Sequence, residues 1–425
     1  MTRFLLLVLV FFVSTNIYTQ EIHIRKLTTE QIEDLFLSNN LELLAAHVNI
    51  DIADAAIVQA KLLNNPTIVV GQVNFWNSGA EEEFNSSSSA FGRNIQFSLE
   101  LNQIIRTAGK RRKLVDLEKV SKEIIIQEFE LLLLNLRTEL RKILNEVMYL
   151  QAYQQIIGLQ QESMGLLVDS YKIQTEKGNI SKTEILRLQS SIIESESEIN
   201  EIQVELNRHY KELKILLNIP MGIEIEIVED NRDPKKPDEI LLSELFEKAK
   251  AFKPEYILSD LNTKHGKNLI IYEKSHRIPD LSISASYDRY GGVWNNFVGF
   301  GIGIDIPIFN RNQGNIKAAK LNLEQSNYYA DQNKNIIQQE IIELYKNYLL
   351  NYDFYMKLVD NNFYDDMKNM LEVYTRNLLN KNISMFEYID FMDAYKANMQ
   401  TILDSKKKMN ISFAELQFCV NNDLK

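Results

Sequence analysis

The sequence predicts a mostly helical protein with a small amount of β-structure of the kind found in membranes. The 425-residue chain contains only 15 Gly and 7 Pro, and this scarcity favours long uninterrupted helices. Four short segments alternate between apolar and polar residues, which indicates strands with one apolar face. The same order of elements occurs twice along the chain, which indicates an internal duplication.

Composition and charge exclude several classes of protein. The chain has 47 Lys+Arg against 58 Asp+Glu, and its net charge of −11 leaves no basic stripe to neutralise nucleic-acid phosphates. A single cysteine, Cys419, excludes a disulfide framework and a Cys-rich metal site. No phosphate-binding loop, nucleophile elbow or histidine-supported carboxylate pair is present. We therefore expect no enzyme activity, no cofactor and no metal site.

The first 20 residues have the pattern of a secretory signal peptide. Arg3 precedes the apolar run 4–13, and a short polar stretch follows it. The run is too short to anchor the chain across a bilayer. We expect cleavage near Thr19 or Gln20. The alternative interpretation is a buried N-terminal helix.

Two repeats, 21–229 and 238–425, flank a predicted linker at 230–237. Leu41-Glu42 and Pro254-Glu255 precede Pro66 and Pro279, respectively, with an offset of 213 between the repeats. Farther along, Asn179-Ile180-Ser181-x-x-Glu184 matches Asn382-Ile383-Ser384-x-x-Glu387 with an offset of 203. The polar segment 77–90 is longer than its counterpart 291–296, so one loop-length difference explains both offsets.

Each repeat is predicted to contain a short helix, two strands, a long helix, a tight hairpin and a shorter helix. The first repeat has helices at 28–63, 110–177 and 181–217, strands at 67–77 and 91–103, and a hairpin near Gly178. The second has helices at 241–275 (with an interruption at Pro254), 313–379 and 384–418, strands at 280–290 and 297–308, and a hairpin near Asn382. Ser181 with Glu184, and Ser384 with Glu387, are capping-box patterns that mark helix starts.

The four strand segments carry the most specific signal. Their predicted apolar faces consist of Val69, Val73 and Phe75; Ile95, Phe97, Leu99 and Leu101; Leu281, Ile283, Ala285 and Tyr287; and Val298, Phe300, Ile302, Ile304 and Ile306. The opposite faces are polar or glycine, as a water-filled lumen requires, and aromatic residues gather near the strand ends. These patterns favour transmembrane strands. The alternative is a small sheet packed on helices.

Four strands cannot close a barrel, and unpaired backbone groups are too costly in lipid. Several chains must therefore share one barrel if these strands cross a membrane. Two chains give eight strands, whose interior side chains fill, whereas three chains give twelve strands and leave room for a pore. A conduit therefore requires at least a trimer.

The chain resembles the TolC family of outer-membrane efflux proteins over nearly its whole length. The matching features are Asn65-Pro66 and Ile278-Pro279 before strands, the paired hairpin segments, and two strand-to-helix junctions. These junctions run from Gln103 to Arg111, with Gly109-Lys110-Arg111, and from Pro307 to Gly314. They look most like the heavy-metal cation efflux branch, which is CzcC- and CusC-like. Ile104 and Lys381 depart from the usual family pattern of proline and glycine.

The resemblance implies a homotrimer with a twelve-stranded barrel in the outer membrane of a Gram-negative bacterium. A helical coiled-coil tunnel would extend through the periplasm, and a periplasmic adaptor (membrane fusion) protein and an inner-membrane RND-type pump would be partners. The implied function is a passive exit duct in contact with outer-membrane lipid, with heavy-metal cations as cargo. Drug efflux or type I protein secretion by the same fold is the alternative. A soluble secreted coiled-coil scaffold is a remoter one.

The hairpins are the predicted periplasmic tip and gate. Glu387, Asp390 and Asp393 recur at i, i+3 and i+6 on one helix face, so each would form a ring of three in a trimer. Acidic rings attract cations, and the resemblance implies acidic gate residues at Glu387 and Asp390. The alternative is a solvated outer face on which Glu387 serves only as a cap. The remaining candidate tip residues are Gly178, Ser181, Glu184, Tyr374, Arg376 and Ser384. Of these, Tyr374 and Arg376 would brace the closed tip together with Tyr171, either by hydrogen bonds or by packing alone.

Overall fold

A computed structural model describes residues 23–74, 96–228, 236–291, 294–360 and 363–421. The predicted signal peptide, the segment 77–90 and most of the predicted linker lie outside the described residues. The chain divides into two compact units. The first contains Met1–Leu41, Lys142–Asp233 and Asn362–Lys407, and the second contains Glu42–Arg141, Pro234–Asn361 and Lys408–Lys425.

The described residues are mostly helical, as the sequence predicts. The helices are α1 (Thr29–Asn39), α2 (Leu41–Lys61), α3 (Lys110–Glu176), α4 (Lys182–Leu216), α5 (Leu242–Phe252), α6 (Pro254–Ser275), α7 (Gln313–Asp360), α8 (Phe363–Leu379) and α9 (Met385–Val420). The strands are β1 (His23–Thr28), β2 (Thr67–Asn74), β3 (Gln96–Ile105), β4 (Ile223–Val228), β5 (Leu281–Gly291) and β6 (Trp294–Ile304). In the described chain, no helix combines the length and apolarity needed to cross a membrane.

The first unit contains a two-stranded parallel sheet whose strand β1 was not predicted. β1 pairs with β4, and Lys26 lies opposite Glu226 with their charged groups 2.9 Å apart. α1 follows directly through a capping box in which Thr28 and Gln31 exchange hydrogen bonds. Ile32 and Phe36 of α1 are fully buried, so burial of one helix face fixes this segment within its unit.

The predicted helix 28–63 is wrong as a single helix, because the chain leaves helical geometry at Asn40. Asn40 has φ −63° and ψ 117°, and it separates α1 from α2. Its buried side-chain amide donates a 2.9 Å hydrogen bond to the carbonyl of Leu216, where α4 ends. The break thus supplies a donor to a helix-end carbonyl that would otherwise lack a partner.

The second unit has a matching break at Lys253, between α5 and α6. Pro254 opens α6, at the interruption considered from the sequence. Lys253 is 1% exposed, and its Nζ atom lies 2.7 Å from Oε2 of Glu340 and 3.6 Å from Sγ of Cys419. Cys419 belongs to a buried cluster that also contains Tyr348 and Leu416.

The long helices follow the predicted bounds in the first repeat more closely than in the second. α3 is a single helix of 67 residues, one residue shorter than the predicted 110–177. The predicted helix 313–379 is described as α7 and α8, and residues 361–362 between them lie outside the described residues.

The four predicted strands form one antiparallel sheet in the order β2-β3-β5-β6. One face is apolar and exposed to solvent in the protomer; Phe300 is 85% exposed and Ile302 is 75% exposed. The register places these apolar residues in one surface: Ile68 and Val70; Leu99, Leu101 and Ile105; Leu281, Ile283, Ala285 and Tyr287; and Val298, Phe300, Ile302 and Ile304. Within the described residues, β2 and β6 are each paired on one side only.

The predicted apolar face of the first strand is wrong at Val69. Val69 pairs with Glu100 on the polar face, whereas Ile68 and Val70 pair with Leu101 and Leu99. The register shifts between Gly71 and Asn74, and such an irregularity reverses the side-chain alternation beyond it. The sequence pattern spans this shift and therefore assigns the wrong face to the first half of the strand.

The turn between β5 and β6 is tighter than predicted. The segment 291–296 was expected to be a loop, but Gly291 pairs with Trp294 and Tyr290 with Asn295. Residues 292–293 lie outside the described residues. The strand β6 ends at Ile304, four residues before the predicted end at 308.

The polar face of β5 and β6 is a ladder of serine opposite glycine. Gly299, Gly301 and Gly303 lie opposite Ser286, Ser284 and Ser282. A Cβ atom on Gly301 would lie 2.6 Å from Oγ of Ser284, closer than van der Waals contact allows. With the serine hydroxyl groups in these positions, a larger residue than glycine would force them to move.

One strand-to-helix junction is bonded to Asp280, just before β5, and the other to Glu273, in the last turn of α6. After β3, the backbone N–H of Thr107 and the Nζ of Lys110 each donate a 2.8 Å hydrogen bond to Oδ1 of Asp280. After β6, the amide of Asn312 donates to the carbonyl of Glu273 at 2.9 Å and to its Oε2 at 2.6 Å. The motifs noticed in the sequence thus join one end of the sheet to the helices that follow it.

Candidate gate at the two helical hairpins

The first hairpin joins α3 to α4 through a left-handed residue, Gly178, with φ +75°. The N–H of Gly178 donates to the carbonyl of Thr175, and the N–H of Asn179 donates to that of Gln174, both at 2.9 Å. The side chain of Asn179 repeats the link to Gln174 at 2.9 Å. These bonds satisfy carbonyls at the end of α3 in the manner of a Schellman turn.

The second hairpin joins α8 to α9 with the same bonds, although Lys381 replaces the glycine. Lys381 has φ +60°, and its N–H donates to the carbonyl of Leu378. The N–H of Asn382 donates to the carbonyl of Asn377 at 2.9 Å, and their side chains are 3.4 Å apart. The departure from glycine is therefore accommodated without a change of turn, at the cost of a left-handed side-chain-bearing residue.

Only the second hairpin has the predicted capping box. Glu387 accepts hydrogen bonds from the N–H and Oγ of Ser384 at 2.7 and 2.8 Å, and its own N–H donates to Oγ of Ser384 at 3.2 Å. Ser181 precedes α4 but its side chain makes no capping hydrogen bond, so the predicted box with Glu184 is wrong. The two hairpins therefore have the same backbone turn but differ in the side-chain cap of the helix that follows.

The capping bonds favour the ionised form of Glu387. Hydrogen bonds from the backbone N–H of Ser384, and then from its hydroxyl, stabilise the carboxylate and lower the pKa of Glu387. The side chain is exposed and ionised at neutral pH. Its carboxylate is turned towards Ser384, at the start of α9, and accepts hydrogen bonds there. Glu387 therefore acts as a cap in this structure.

Asp390 and Asp393 lie on the same face of α9 as Glu387 and are exposed. For neither does the structure record a hydrogen bond or ion pair with any described residue. The intervening residues Tyr388 and Met392 are buried, so the three carboxylates mark the solvent side of the helix. The three carboxylates therefore share one exposed helix face, as their spacing predicts.

Tyr374 and Arg376 make contacts within their own hairpin. The ring of Tyr374 stacks on that of Phe391, with centroids 3.9 Å apart and an interplanar angle of 14°. Arg376 pairs with Glu372 one turn earlier on α8 at 2.5 Å, and both side chains are exposed. Of the two predicted roles, packing describes Tyr374, whereas Arg376 forms a surface ion pair of small energetic weight.

A buried tyrosine cluster, not identified from the sequence as a unit, lies beneath the second hairpin. Tyr388 is fully buried, and its hydroxyl lies 3.5 Å from Oγ1 of Thr375. Burial raises the pKa of Tyr388 to about 12. Tyr171 of α3 is also buried, and burial followed by the charge of Glu184 raises its pKa. Tyr388 and Tyr171 are thus both buried in the first unit, and of the two only Tyr171 was named from the sequence.

The hairpins carry carboxylates but no preformed metal centre. Across the described residues, no group of three or more His, Cys, Asp or Glu side chains is placed to hold a metal ion.

Comparison with known families gives a match in the first half of the chain. Residues 33–218 match the family model described as "Outer membrane efflux protein". This span contains α3, the first hairpin and α4, and lies within the first predicted repeat. No curated protein sequence matches the chain significantly.

Solved structures match over almost the whole chain. CusC, described as forming a transmembrane channel, has a TM-score of 0.71 at 16% identity and covers 92% of both chains. The outer membrane channel CmeC of Campylobacter jejuni has a TM-score of 0.72 at 15% identity, covering 92% of this chain and 85% of its own. The outer membrane protein VceC of Vibrio cholerae has a TM-score of 0.71 at 13% identity, with 93% and 97% covered. The chain therefore has the fold of these outer-membrane channel proteins.

Proposed function

We propose that the chain belongs to the TolC family of outer-membrane efflux proteins and is the outer-membrane channel of a tripartite efflux system. In this role it is a passive duct with no catalytic site. Its exported, Gram-negative location follows from the predicted signal peptide and from the shared fold. A periplasmic adaptor and an inner-membrane RND-type pump are the partners that this role requires.

The observation that carries the proposal is the four-stranded sheet with one exposed apolar face. Burying apolar surface stabilises a protein by about 25 cal/mol per Å². Side chains such as Phe300, Ile302 and Ile304 gain nothing from that effect in the isolated protomer, because they face solvent. Lipid is the environment in which this face becomes favourable.

The two sheet edges support a shared barrel. β2 and β6 each have one unpaired side in the described residues, and backbone groups without hydrogen bonds cost several kcal/mol each in a bilayer. Pairing of β6 with β2 of another copy removes both edges. Three copies then give twelve strands whose polar faces, including the Ser–Gly ladder, surround a lumen.

The second hairpin supports a cation-attracting gate. In a threefold assembly Asp390 and Asp393 would each form a ring of carboxylates at the periplasmic tip, with Glu387 completing the acidic surface. We infer that heavy-metal cations are the cargo, since the junction motifs are like those of the heavy-metal branch and the tip is acidic. Drug efflux or protein secretion through the same fold is the competing cargo assignment.

Fractionation and mass measurement test the duct. The full chain should be found in the outer-membrane fraction, require detergent for extraction, and have the mass of a trimer after correction for bound detergent. A monomer extracted without detergent would contradict the proposal and favour the soluble scaffold.

Single-channel recording in planar bilayers tests the gate. Replacing Asp390 and Asp393 by Asn should reduce the preference for cations over anions, because it removes six charges from a trimeric tip. Glu387→Gln keeps an oxygen for Ser384 and serves as a matched control for loss of one charge with the cap retained. Unchanged selectivity in the Asp390→Asn/Asp393→Asn variant would remove the gate role from these residues.

A further inference from the structure

One end of the four-stranded sheet carries exposed basic side chains beside exposed apolar ones. Three chain segments meet there: 104–113 after β3, 273–281 before β5, and 304–313 after β6. Their exposed basic residues are Arg106, Arg111, Arg112, Lys274, Arg277 and Arg311, here named the basic collar. Exposed apolar residues stand next to them: Ile104, Ile278, Ile306, Ile308 and Phe309.

Strand pairing and hydrogen bonds place these segments side by side. Ile105 pairs with Leu281, and Leu281 pairs with Ile304, so the three strand ends are adjacent. Thr107 and Lys110 bond to Asp280, and Asn312 bonds to Glu273. The collar is therefore a continuous surface of the second unit and not a coincidence of sequence.

Within these three segments, exposed basic side chains outnumber exposed carboxylates. Asp280 is engaged by Lys110, and Glu273 by Asn312, so Asp305 is the exposed carboxylate of these segments against six exposed basic residues. The structure records no ion pair for any collar residue with the described part of the chain. This excess occurs in a chain whose net charge is −11.

The start of α3 makes the excess more pronounced. Its first four residues, Lys110 to Lys113, are all basic, and its first turn has no acidic residue. Cations at a helix N-terminus are unfavourable, because the backbone N–H groups there already give a partial positive charge. Asp280 supplies one carboxylate here through Lys110, whereas the exposed Arg111 and Arg112 have no acidic neighbour in the first turn of the helix.

We propose that the basic collar binds the phosphate groups of anionic phospholipids at the membrane surface facing the helices. The apolar face of β3, β5 and β6 leads directly into it, so a protomer whose sheet lies in lipid has the collar at headgroup depth. Long basic side chains next to apolar residues place their charge among headgroups while their stems remain in the hydrocarbon. The inference rests on the proposed membrane location and adds a lipid class to it.

Lipid binding to the purified full chain in neutral detergent tests the proposal. Phosphatidylglycerol and phosphatidylcholine carrying a label in the acyl chain are titrated separately in mixed micelles. We expect at least tenfold tighter binding of phosphatidylglycerol, with a preference that declines as salt is added. The variant Arg106→Gln/Arg277→Gln/Arg311→Gln should lose tenfold or more of that affinity, since each basic residue near an anionic surface contributes a factor of about five.

Two control variants test whether the position and the charge of the collar residues cause the lipid preference. Lys182→Gln/Arg187→Gln/Lys211→Gln removes the same charge from exposed positions on α4 and should bind phosphatidylglycerol as the wild type does. Arg106→Lys/Arg277→Lys/Arg311→Lys keeps the charge and should retain most of the affinity. Both variants and the glutamine triple should show the helical circular dichroism and assembly mass of the wild type, so a folding defect is recognised separately.

Any of the following results would contradict the proposal that the basic collar binds anionic phospholipids. The glutamine triple could bind phosphatidylglycerol as tightly as the wild type, or the α4 control could lose as much affinity as the collar variant. Alternatively, inorganic phosphate could displace the lipid at the same ionic strength at which chloride does not, which would assign the collar to free phosphate. A trimer extracted from membranes that lacks lipid preference refutes this inference alone, whereas a soluble monomer refutes the proposed channel.

Discussion

The Nζ atom of Lys110 lies 2.8 Å from Oδ1 of Asp280, although the two residues are 170 positions apart in the sequence. The Lys110 side chain is 5% exposed and that of Asp280 is 33% exposed. The pair joins the start of α3 to the start of β5, and therefore joins the two predicted repeats at the base of the sheet.

Loss of Asp280 should leave a buried cation without its partner. We expect Asp280→Ala to lower the free energy of unfolding by about 2 kcal/mol, less than for a fully buried pair because the carboxylate is partly hydrated. Lys110→Met in the Asp280→Ala background should recover part of the loss. Thermal unfolding followed by circular dichroism measures both, and additive losses in the double variant would show that the two residues do not interact.

The same pair predicts a pH dependence. Burial opposes ionisation of Asp280, but hydrogen bonds from Lys110 and from the N–H of Thr107 outweigh it and lower its pKa. An Asp side chain ordinarily has a pKa of about 4, and a lowered pKa in the folded state stabilises the fold at every pH above that value. This contribution is lost as the pH falls through the pKa of Asp280 in the folded state. The stability difference between the wild type and Asp280→Asn should therefore be constant at neutral pH and shrink in acid. A difference that grows in acid would contradict the assignment.

The serine–glycine ladder predicts a pairwise steric effect. Gly301→Ala places a Cβ atom 2.6 Å from Oγ of Ser284, and we expect a loss of about 1–2 kcal/mol from overpacking. Ser284→Ala in the same chain removes the oxygen and should restore most of the stability. Gly314→Ala is the matched control, because nothing lies within 4 Å of its Cβ position. Thermal unfolding compares the three variants with the wild type; no recovery in the double variant would refute the clash.

The two hairpins predict opposite effects for reciprocal substitutions. Lys381→Gly relieves a left-handed residue at φ +60° and should raise stability by up to about 1 kcal/mol, whereas Gly178→Lys should lower it by a similar amount. Urea unfolding of the two variants measures the sign. A destabilising Lys381→Gly would show that the lysine side chain contributes a contact that outweighs the backbone strain.

The buried ion pair of Lys253 and Glu340 predicts that removing Glu340 costs more stability than removing Lys253. Burial by itself lowers the pKa of Lys253, but the neighbouring Cys419, Glu255 and Glu340 raise it overall, so the side chain is charged. Glu340→Leu leaves that charge without its 2.7 Å partner and should cost about 3 kcal/mol, whereas Lys253→Met should stay within about 1 kcal/mol of the wild type. Equal losses in thermal unfolding would contradict this account.

The helices and three of the four membrane-type strands could be predicted because their patterns are local. Alternation along Leu99–Leu101 and Phe300–Ile304 depends only on the two-residue period of a strand. The face of Val69 could not be predicted, since the register shift after Gly71 depends on how β2 pairs with β3. The break at Asn40 was missed for a similar reason: its amide bonds to Leu216, which is 176 residues away.

The sequence leaves two roles open for the residues of the second hairpin, and the structure adds contacts that the spacing alone does not contain. The spacing of Glu387, Asp390 and Asp393 is sufficient to place them on one helix face. It cannot show that Glu387 bonds to Ser384 while Ser181 makes no equivalent bond to its own helix. The stacking of Tyr374 on Phe391 likewise depends on how α8 packs against α9, which no single-helix pattern contains.

The unpaired edges of β2 and β6 have a consequence for biogenesis. If the chain assembles as proposed, a new subunit carries an apolar sheet whose two edges lack partners among the described residues, and such edges are prone to aggregation in water. Acquisition of the native sheet and association of subunits would then be a single event. Refolding yield should rise with a holding chaperone or with detergent. It should also be highest at an intermediate protein concentration, because subunits rarely associate when dilute and aggregate through mispaired strands when concentrated.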